Sequence, residues 1–253
     1  MILQHWIEYP PDPRQLLLAW QAPPSAPVQD RLRWAVGRVT RTESGAVFDY
    51  LNEDEFNTLN LGRSAAALRH AGYAGYPAFD PKRPDADGFC EHVLEAFMRR
   101  LPPSGRADFA SYLAHFHIRG DAKLSPFALL AITEARLPSD GFSLIDPLDP
   151  SADLIDIVIE IAGFRHLPER PVFPGQSLQL RAEPSNPNDP CAIQILASDH
   201  VVGYVNRLQA PAIGQWLEKR AISCWAARVH GRSSTPQAYA FLQVRPNEHR
   251  IAA

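Results

Sequence analysis

The sequence predicts an α+β protein, with an N-terminal mixed α/β domain followed by a small C-terminal β-barrel that carries one or two short helices. The chain has 24 prolines in 253 residues, about twice the average usage. So much proline excludes a long helical bundle, because proline interrupts helices. Helical patterns dominate up to residue 150. After it, six short β-rich runs follow one another within about 90 residues, as in small barrels.

The first elements are read from short apolar runs. LQHWIEY is strand-like, and QLLLAWQA reads as a possible short helix. The runs RLRWAVGRVT and AVFDYL then flank a turn that carries Ser44-Gly45. Alternating apolar residues on both sides of such a turn predict a β-hairpin.

Three helices are predicted between residues 88 and 137. FCEHVLEAFMRRL has an amphipathic spacing and is stopped by Pro102-Pro103. ADFASYLAHFHI and SPFALLAITEARL follow it, the latter with Ser125 as N-cap and Pro126 at the first helical position. Between hairpin and helices lies Gly72–Pro77, for which inward-packed tyrosines in an ordinary turn are favoured over a flexible binding loop.

A linker is predicted near Asp149 to Ser151, where two Asp-Pro steps interrupt the pattern. It divides the chain into domains 1–150 and 151–253. In the second domain, only residues 209–220 read as helical. The six β-rich runs are DIVIEIAGF, SLQLRAE, AIQILAS, HVVGYVN, WAARVHG and AFLQVRP.

Composition narrows the possible functions. Residues 151–253 carry ten Lys and Arg, nine of them Arg, against nine Asp and Glu, while the whole chain has a net charge of −3. This balance argues against tight non-specific coating of duplex DNA, although arginine suits phosphate contacts. Three scattered cysteines exclude a disulfide framework. We find no signal peptide or membrane span and expect a cytoplasmic protein.

The segment AEPSNPNDPCAI (182–193) is the most informative loop. It places three prolines, two asparagines and an aspartate between two hydrophobic strands. The prolines fix the path of the chain, and the side chains of Asn186 and Asp189 can cap local amides. A tight turn that needs these residues only to close is the alternative.

Together with its neighbours, this loop resembles the HIRAN domain, a small SH3/OB-like barrel found in helicase-like remodellers and stand-alone bacterial proteins. The likeness runs from about Val158 to Val244. It rests on the strings Ala162–His166, Glu183–Ile193 and Val202–Arg207.

The resemblance implies binding of single-stranded DNA or a DNA 3′ end, with DNA repair as the expected process. Asp189 would accept a hydrogen bond from the terminal hydroxyl, Arg165 and Arg207 would lie near phosphates, and Tyr204 beside the backbone. This sequence departs from the family where His166 and Asn188 replace aromatic residues and Cys191 replaces an asparagine. The predicted DNA-binding residues are Arg165, His166, Asn188, Asp189, Tyr204 and Arg207.

Three of these residues have alternative roles, and His166 would otherwise be a histidine of a turn or rim. Arg165 would otherwise form an ion pair with Glu183 or Asp189, and Tyr204 would only cover the edge of the barrel. A carboxylate beside a strand end favours a hydroxyl donor and repels a terminal phosphate. The loop therefore predicts discrimination between these two kinds of end.

The N-terminal half, residues 33–147, resembles the N-terminal subdomain of HipA-type toxin kinases in Val36–Val39, Val47–Tyr50, Phe97–Arg106 and the helix ending Ala128–Leu130. This implies a partner-docking domain, with a protein partner bound through residues 30–147. The alternative function for the whole chain is a protein-interaction adaptor related to toxin–antitoxin systems, without DNA end binding. No catalytic, metal or cofactor motif is found, so we expect no enzyme and no cofactor.

Overall fold

The computed structural model describes residues 5–27, 30–31, 33–82, 88–137, 139–166, 172–232 and 235–247. The chain forms two compact units. The amino unit consists of Asp12–Phe109 and Leu124–Pro147, and the carboxyl unit of Met1–Pro11, Ala110–Lys123 and Leu148–Ala253. The carboxyl unit thus includes two segments that lie before residue 150. The division into domains 1–150 and 151–253 stays a prediction.

The amino unit contains a four-stranded antiparallel sheet. Its strands are β1 (Gln15–Gln21), β2 (Arg33–Arg41), β3 (Ala46–Tyr50) and β4 (Phe142–Ile145), in the order β3-β2-β1-β4. The predicted hairpin is confirmed as β2 and β3, which pair from Gly37 opposite Tyr50 to Arg41 opposite Ala46. Leu32 of the predicted first run lies outside the described residues.

The prediction of a helix in QLLLAWQA is wrong, because these residues form β1. β1 lies between β2 and β4 in the sheet, and five consecutive residues from Leu16 to Trp20 are buried. When a short apolar run is buried on both faces, its sequence shows neither the alternation of a strand nor the spacing of an amphipathic helix. The two structures then cannot be distinguished by periodicity. Residues 5–9, predicted as strand-like, have no regular strand.

Short helices follow the hairpin: α1 (Glu53–Leu59), α2 (Ala65–His70), α3 (Val93–Met98), α4 (Phe109–His115) and α5 (Pro126–Thr133). The predicted start of α5 is confirmed, since the Ser125 side chain accepts a hydrogen bond from the Ala128 amide at 3.0 Å. The amphipathic run before Pro102 is helical only in α3.

Aromatic side chains form the core beside α3. Tyr76 is buried and stacks on Phe97, with ring centroids 5.2 Å apart. The Tyr50 hydroxyl donates to the Phe79 carbonyl and accepts from the Tyr76 amide. These contacts confirm an inward-packed turn at Tyr76 rather than a flexible loop.

The carboxyl unit contains a six-stranded antiparallel sheet, and all six predicted β-rich runs lie in its strands. The order is β5-β10-β9-β6-β7-β8. The predicted helix 209–220 is α6 (Ala210–Lys219). The strands are β5 (Ile155–Glu160), β6 (Ser177–Ala182), β7 (Ile193–Ala197), β8 (His200–Tyr204), β9 (Arg220–Arg232) and β10 (Thr235–Pro246).

The segment just beyond β5 meets β8, the strand at the opposite edge of this order, at one residue pair. The Ala162 amide, two residues beyond β5, donates to the Tyr204 carbonyl at 2.8 Å, and the Tyr204 amide donates to the Ala162 carbonyl at 2.9 Å. One such bridge is not a strand ladder, so closure into a barrel stays a prediction. The α+β class with antiparallel sheets is confirmed.

The core of the carboxyl unit is built from alternate residues of its strands and one face of α6. Ile157 and Ile159 of β5, Ile195 of β7, and Ile213 and Trp216 of α6 belong to one buried cluster. The Trp216 ring also donates a hydrogen bond to the Asp149 carbonyl at 3.1 Å. Over the described part of the chain, the helices are too short or too polar to cross a membrane.

Candidate nucleic-acid interface

The turn that carries Arg165 and His166 is held against β8. Its backbone is fixed by the bridge between Ala162 and Tyr204, and Phe164 anchors it in the core. Gly203 makes this close approach possible: a Cβ atom on it would lie 2.6 Å from the Ala162 carbonyl oxygen and 2.4 Å from Ile161 Cγ2. The position therefore requires glycine.

Arg165 and His166 are both exposed on the short 3₁₀ turn Phe164–His166. Arg165 Nε donates to His166 Nε2 at 3.1 Å. Within the described residues Arg165 forms no ion pair with Glu183 or Asp189, so the alternative role for this arginine is wrong. Among the described residues no acceptor contacts its Nη atoms, which can donate to a group such as a phosphate.

The loop between β6 and β7 is rigid because it is hydrogen-bonded to itself. The Glu183 amide donates to the Ala192 carbonyl at its base. Asn186 Oδ1 accepts from the amides of Asn188 and Asp189, at 3.0 and 3.2 Å. The predicted capping role of Asn186 is confirmed.

Asp189 caps the end of the same loop. Its Oδ1 accepts from the Cys191 amide at 2.8 Å, which confirms its predicted capping role. Among the described residues the structure gives its Oδ2 atom no hydrogen bond. Asn188 is exposed beside it. Asp189 can therefore accept a hydrogen bond from a bound group without giving up its structural one.

A row of polar side chains connects the strands behind this loop. Arg181, Gln194 and Tyr204 are directly opposite one another on β6, β7 and β8, so they project from one face of the sheet. Arg181 Nε and Nη2 donate to Gln194 Oε1, at 3.0 and 2.8 Å. The side chain of Gln194 also acts on the Tyr204 hydroxyl, whose pKa it lowers.

The row ends on the carboxylate of Glu183. Glu183 lies close enough to the Tyr204 hydroxyl to raise its pKa, and Asn186 Nδ2 donates to Glu183 Oε2 at 2.7 Å. Partial burial raises the pKa of Tyr204 above its usual value, and the Glu183 charge acts in the same direction. Tyr204 is thus a neutral donor, and the network joins it to the loop that carries Asp189.

Arg207 follows Tyr204 by three residues and is half-buried. Its segment is shaped by Asn206, whose Oδ1 accepts from the Leu208 amide at 3.1 Å. The Asn206 carbonyl accepts from the amides of Gln209 and Ala210 as α6 begins. Arg207 therefore lies on a hydrogen-bonded turn between β8 and α6.

The structure thus connects five of the six predicted residues by two routes. Arg165 and His166 adjoin Tyr204 through the backbone bridge, and Asn188 and Asp189 connect to Tyr204 through Asn186 and Glu183. Sequence reasoning missed Arg181 and Gln194. Both residues lie in the strands that flank the loop, but only the pairing register of these strands shows that they are neighbours. Within the described residues, no group of His, Cys, Asp and Glu side chains could hold a metal ion.

Comparison with known proteins identifies this segment. Residues 155–244 match the family model of the HIRAN domain, so this part of the chain is a HIRAN domain. A similar solved structure is the crystal structure of the HIRAN domain of human HLTF. It is 17% identical, the likeness covers 37% of this chain and 78% of that one, and the TM-score is 0.31. No curated protein matches the sequence.

The family match confirms the predicted HIRAN resemblance, whose expected span of about 158–244 lies within it. HIRAN domains are in general DNA-binding domains, which supports nucleic-acid binding by this segment. The resemblance of residues 33–147 to HipA-type proteins is not supported by these matches.

Proposed function

We propose that this protein binds single-stranded DNA, or a DNA 3′ end, at the surface formed by the Arg165 turn, the 183–192 loop and Tyr204. The observation that carries this proposal is the Ala162–Tyr204 bridge, which brings the arginine turn beside the tyrosine of β8. The match of residues 155–244 to a DNA-binding family supports the same conclusion.

Each part of this surface suits a different group of a DNA strand. The Nη atoms of Arg165 are donors for phosphate oxygens. The Oδ2 atom of Asp189 accepts a hydrogen bond from a terminal hydroxyl, whereas a terminal phosphate would meet like charge there. Tyr204, which is half-buried on β8, offers part of its ring to the sugar–phosphate chain.

Affinity at this surface depends mainly on charge. His166 and Asn188 occupy positions where aromatic residues would stack on bases, and each stacking contact contributes about 1–3 kcal/mol. With these contacts missing, phosphate neutralisation supplies most of the binding. Binding should therefore weaken steeply as salt concentration rises.

The test is a fluorescence-anisotropy titration with labelled dT10 that bears a 3′ hydroxyl or a 3′ phosphate, at several salt concentrations. We expect preference for the hydroxyl and a log Kd slope of about 0.7 for each phosphate neutralised. Arg165→Ala should weaken both ligands. The matched control is Arg119→Ala, an exposed arginine of the same unit that is paired with Glu8, and it should change neither.

Absence of binding by the unmodified protein at low salt would contradict the proposal. That outcome would favour the alternative of a protein-interaction adaptor. Docking of a protein partner through residues 30–147, and any relation to HipA-type systems, stay predictions.

A further inference from the structure

Arg181 is an exposed cation on the row that leads to Tyr204. Its Nε and Nη2 atoms are both used on one acceptor, the Gln194 amide oxygen, which fixes the orientation of the guanidinium group. That acceptor is neutral, and among the described residues no carboxylate pairs with Arg181. Its charge is therefore held in place without being neutralised.

Two other arginines of the carboxyl unit differ in this respect. Arg119 pairs with Glu8 at 2.7 Å, and Arg245 pairs with the buried Asp156 at 2.7 Å. A fixed guanidinium loses less side-chain entropy when it binds a phosphate, because its planar fork is already oriented. Its Nη1 atom is not used in the contact with Gln194.

We infer that Arg181 contacts a second phosphate of the bound strand, so that the interface extends from the Arg165 turn across β8 and β7 to β6. This inference rests on the proposed function. Neighbouring strands are about 4.8 Å apart, which places β6 about 10 Å from β8. At an axial rise of about 3.4 Å per nucleotide of a stacked strand, this separation spans at most about three nucleotides.

The side chain of Gln194 couples this contact to the rest of the interface. Because its oxygen accepts from Arg181, its amide NH₂ is the group left to interact with Tyr204, the residue opposite it on β8. Arg181, Gln194 and Tyr204 thus form one row across β6, β7 and β8. Arg181 is suited to the internal part of a strand, and Asp189 to its end.

The experiment measures binding of full-length protein to dT10 with a 3′ hydroxyl. Arg181→Ala should weaken binding about fivefold at low salt and lower the salt slope by about 0.7. Arg181→Lys should keep the salt slope and lose part of the affinity. The matched control, Lys219→Ala, removes an exposed cation at the end of α6 and should leave both quantities unchanged. A thermal unfolding curve for each variant checks that the fold is retained.

A methylphosphonate scan then locates the contact. One neutral linkage replaces each phosphate of dT10 in turn, and each oligonucleotide is titrated with the unmodified protein and with Arg181→Ala. We expect the two losses to be non-additive at one linkage between the second and fourth from the 3′ end. If the unmodified protein binds dT10 but Arg181→Ala has the same salt slope, or no linkage is coupled, the inference is wrong. If the unmodified protein does not bind, the proposed function and this inference both fail.

Discussion

The two carboxylate oxygens of Asp189 have different roles, one within the loop and one at the surface. Oδ1 accepts from the Cys191 amide, and Oδ2 is the atom that our account assigns to a terminal hydroxyl. The negative charge would disfavour a 3′ phosphate, because each pair of like unit charges about 4 Å apart in water repels by about 1 kcal/mol. End preference is thus a property of this one residue.

Asp189→Asn should abolish the preference for a 3′ hydroxyl over a 3′ phosphate, which we expect to be about tenfold in the unmodified protein. The amide oxygen of asparagine can still accept from the Cys191 amide, so the loop should keep its shape. Competition titrations with the two oligonucleotides measure the ratio. Glu218→Ala on α6 removes an exposed carboxylate elsewhere and serves as the control. A ratio unchanged in Asp189→Asn would exclude this role.

The loop residues could be predicted from the sequence, because their types are informative by themselves. Asn186 and Asp189 are small polar residues among prolines, and such residues cap backbone amides locally. Arg181 and Gln194 could not be found in this way. They are thirteen positions apart in the chain, and only the pairing of β6 with β7 makes them neighbours.

At the scale of elements, the meeting of β8 with the segment after β5 creates the interface. Gly203 has a backbone angle φ of +153° and no room for a side chain. A methyl group there would push Ile161 and Ala162 away from β8, and the Arg165 turn would move with them. The geometry of the interface therefore depends on a residue that has no functional group.

Gly203→Ala should lower the free energy of unfolding by about 2 kcal/mol through overpacking and backbone strain. It should also reduce hydrogen-exchange protection of the Ala162 and Tyr204 amides and weaken DNA binding. Gly214→Ala is the matched control: it lies inside α6, and its added Cβ would meet only Ile193 Cδ1 at 3.9 Å. We expect it to stabilise the protein by about 0.5–1 kcal/mol. Equal behaviour of the two variants would argue against this account of the bridge.

The strands of the carboxyl unit could be predicted because turn residues separate them clearly. β7 and β8, for example, are divided only by Ser198 and Asp199, both at positive φ. The prediction of a helix at β1 is wrong because consecutive residues of this strand are buried. Burial on both faces leaves no alternation of apolar and polar residues, which is the pattern that indicates a strand.

At the scale of the whole molecule, the carboxyl unit depends on residues near the start of the chain. Asp156, on β5, is fully buried, and its Oδ2 accepts from the amides of Glu8 and Tyr9 at 2.9 and 3.1 Å. Its Oδ1 accepts from Arg245 Nη2 at 2.7 Å. No sequence pattern shows a contact between residues so far apart in the chain, so this arrangement could not be predicted.

Asp156→Ala should lower the free energy of unfolding of the carboxyl unit by about 3–5 kcal/mol. It leaves the Arg245 charge without its partner and two backbone amides without their acceptor. Chemical denaturation followed by tryptophan fluorescence measures the change. Asp153→Ala, an exposed carboxylate three residues earlier, should change stability by less than about 0.5 kcal/mol. A loss below about 1 kcal/mol in Asp156→Ala would show that the amino-terminal segment is not anchored in this way.

The most direct test of the nucleic-acid interface is an NMR titration of isotope-labelled protein with dT10 that bears a 3′ hydroxyl. We predict that the largest changes in backbone amide shifts fall in residues 162–166, 183–192 and 204–207, and that they saturate together. Changes confined to other surfaces, or none at millimolar oligonucleotide and low salt, would contradict the account.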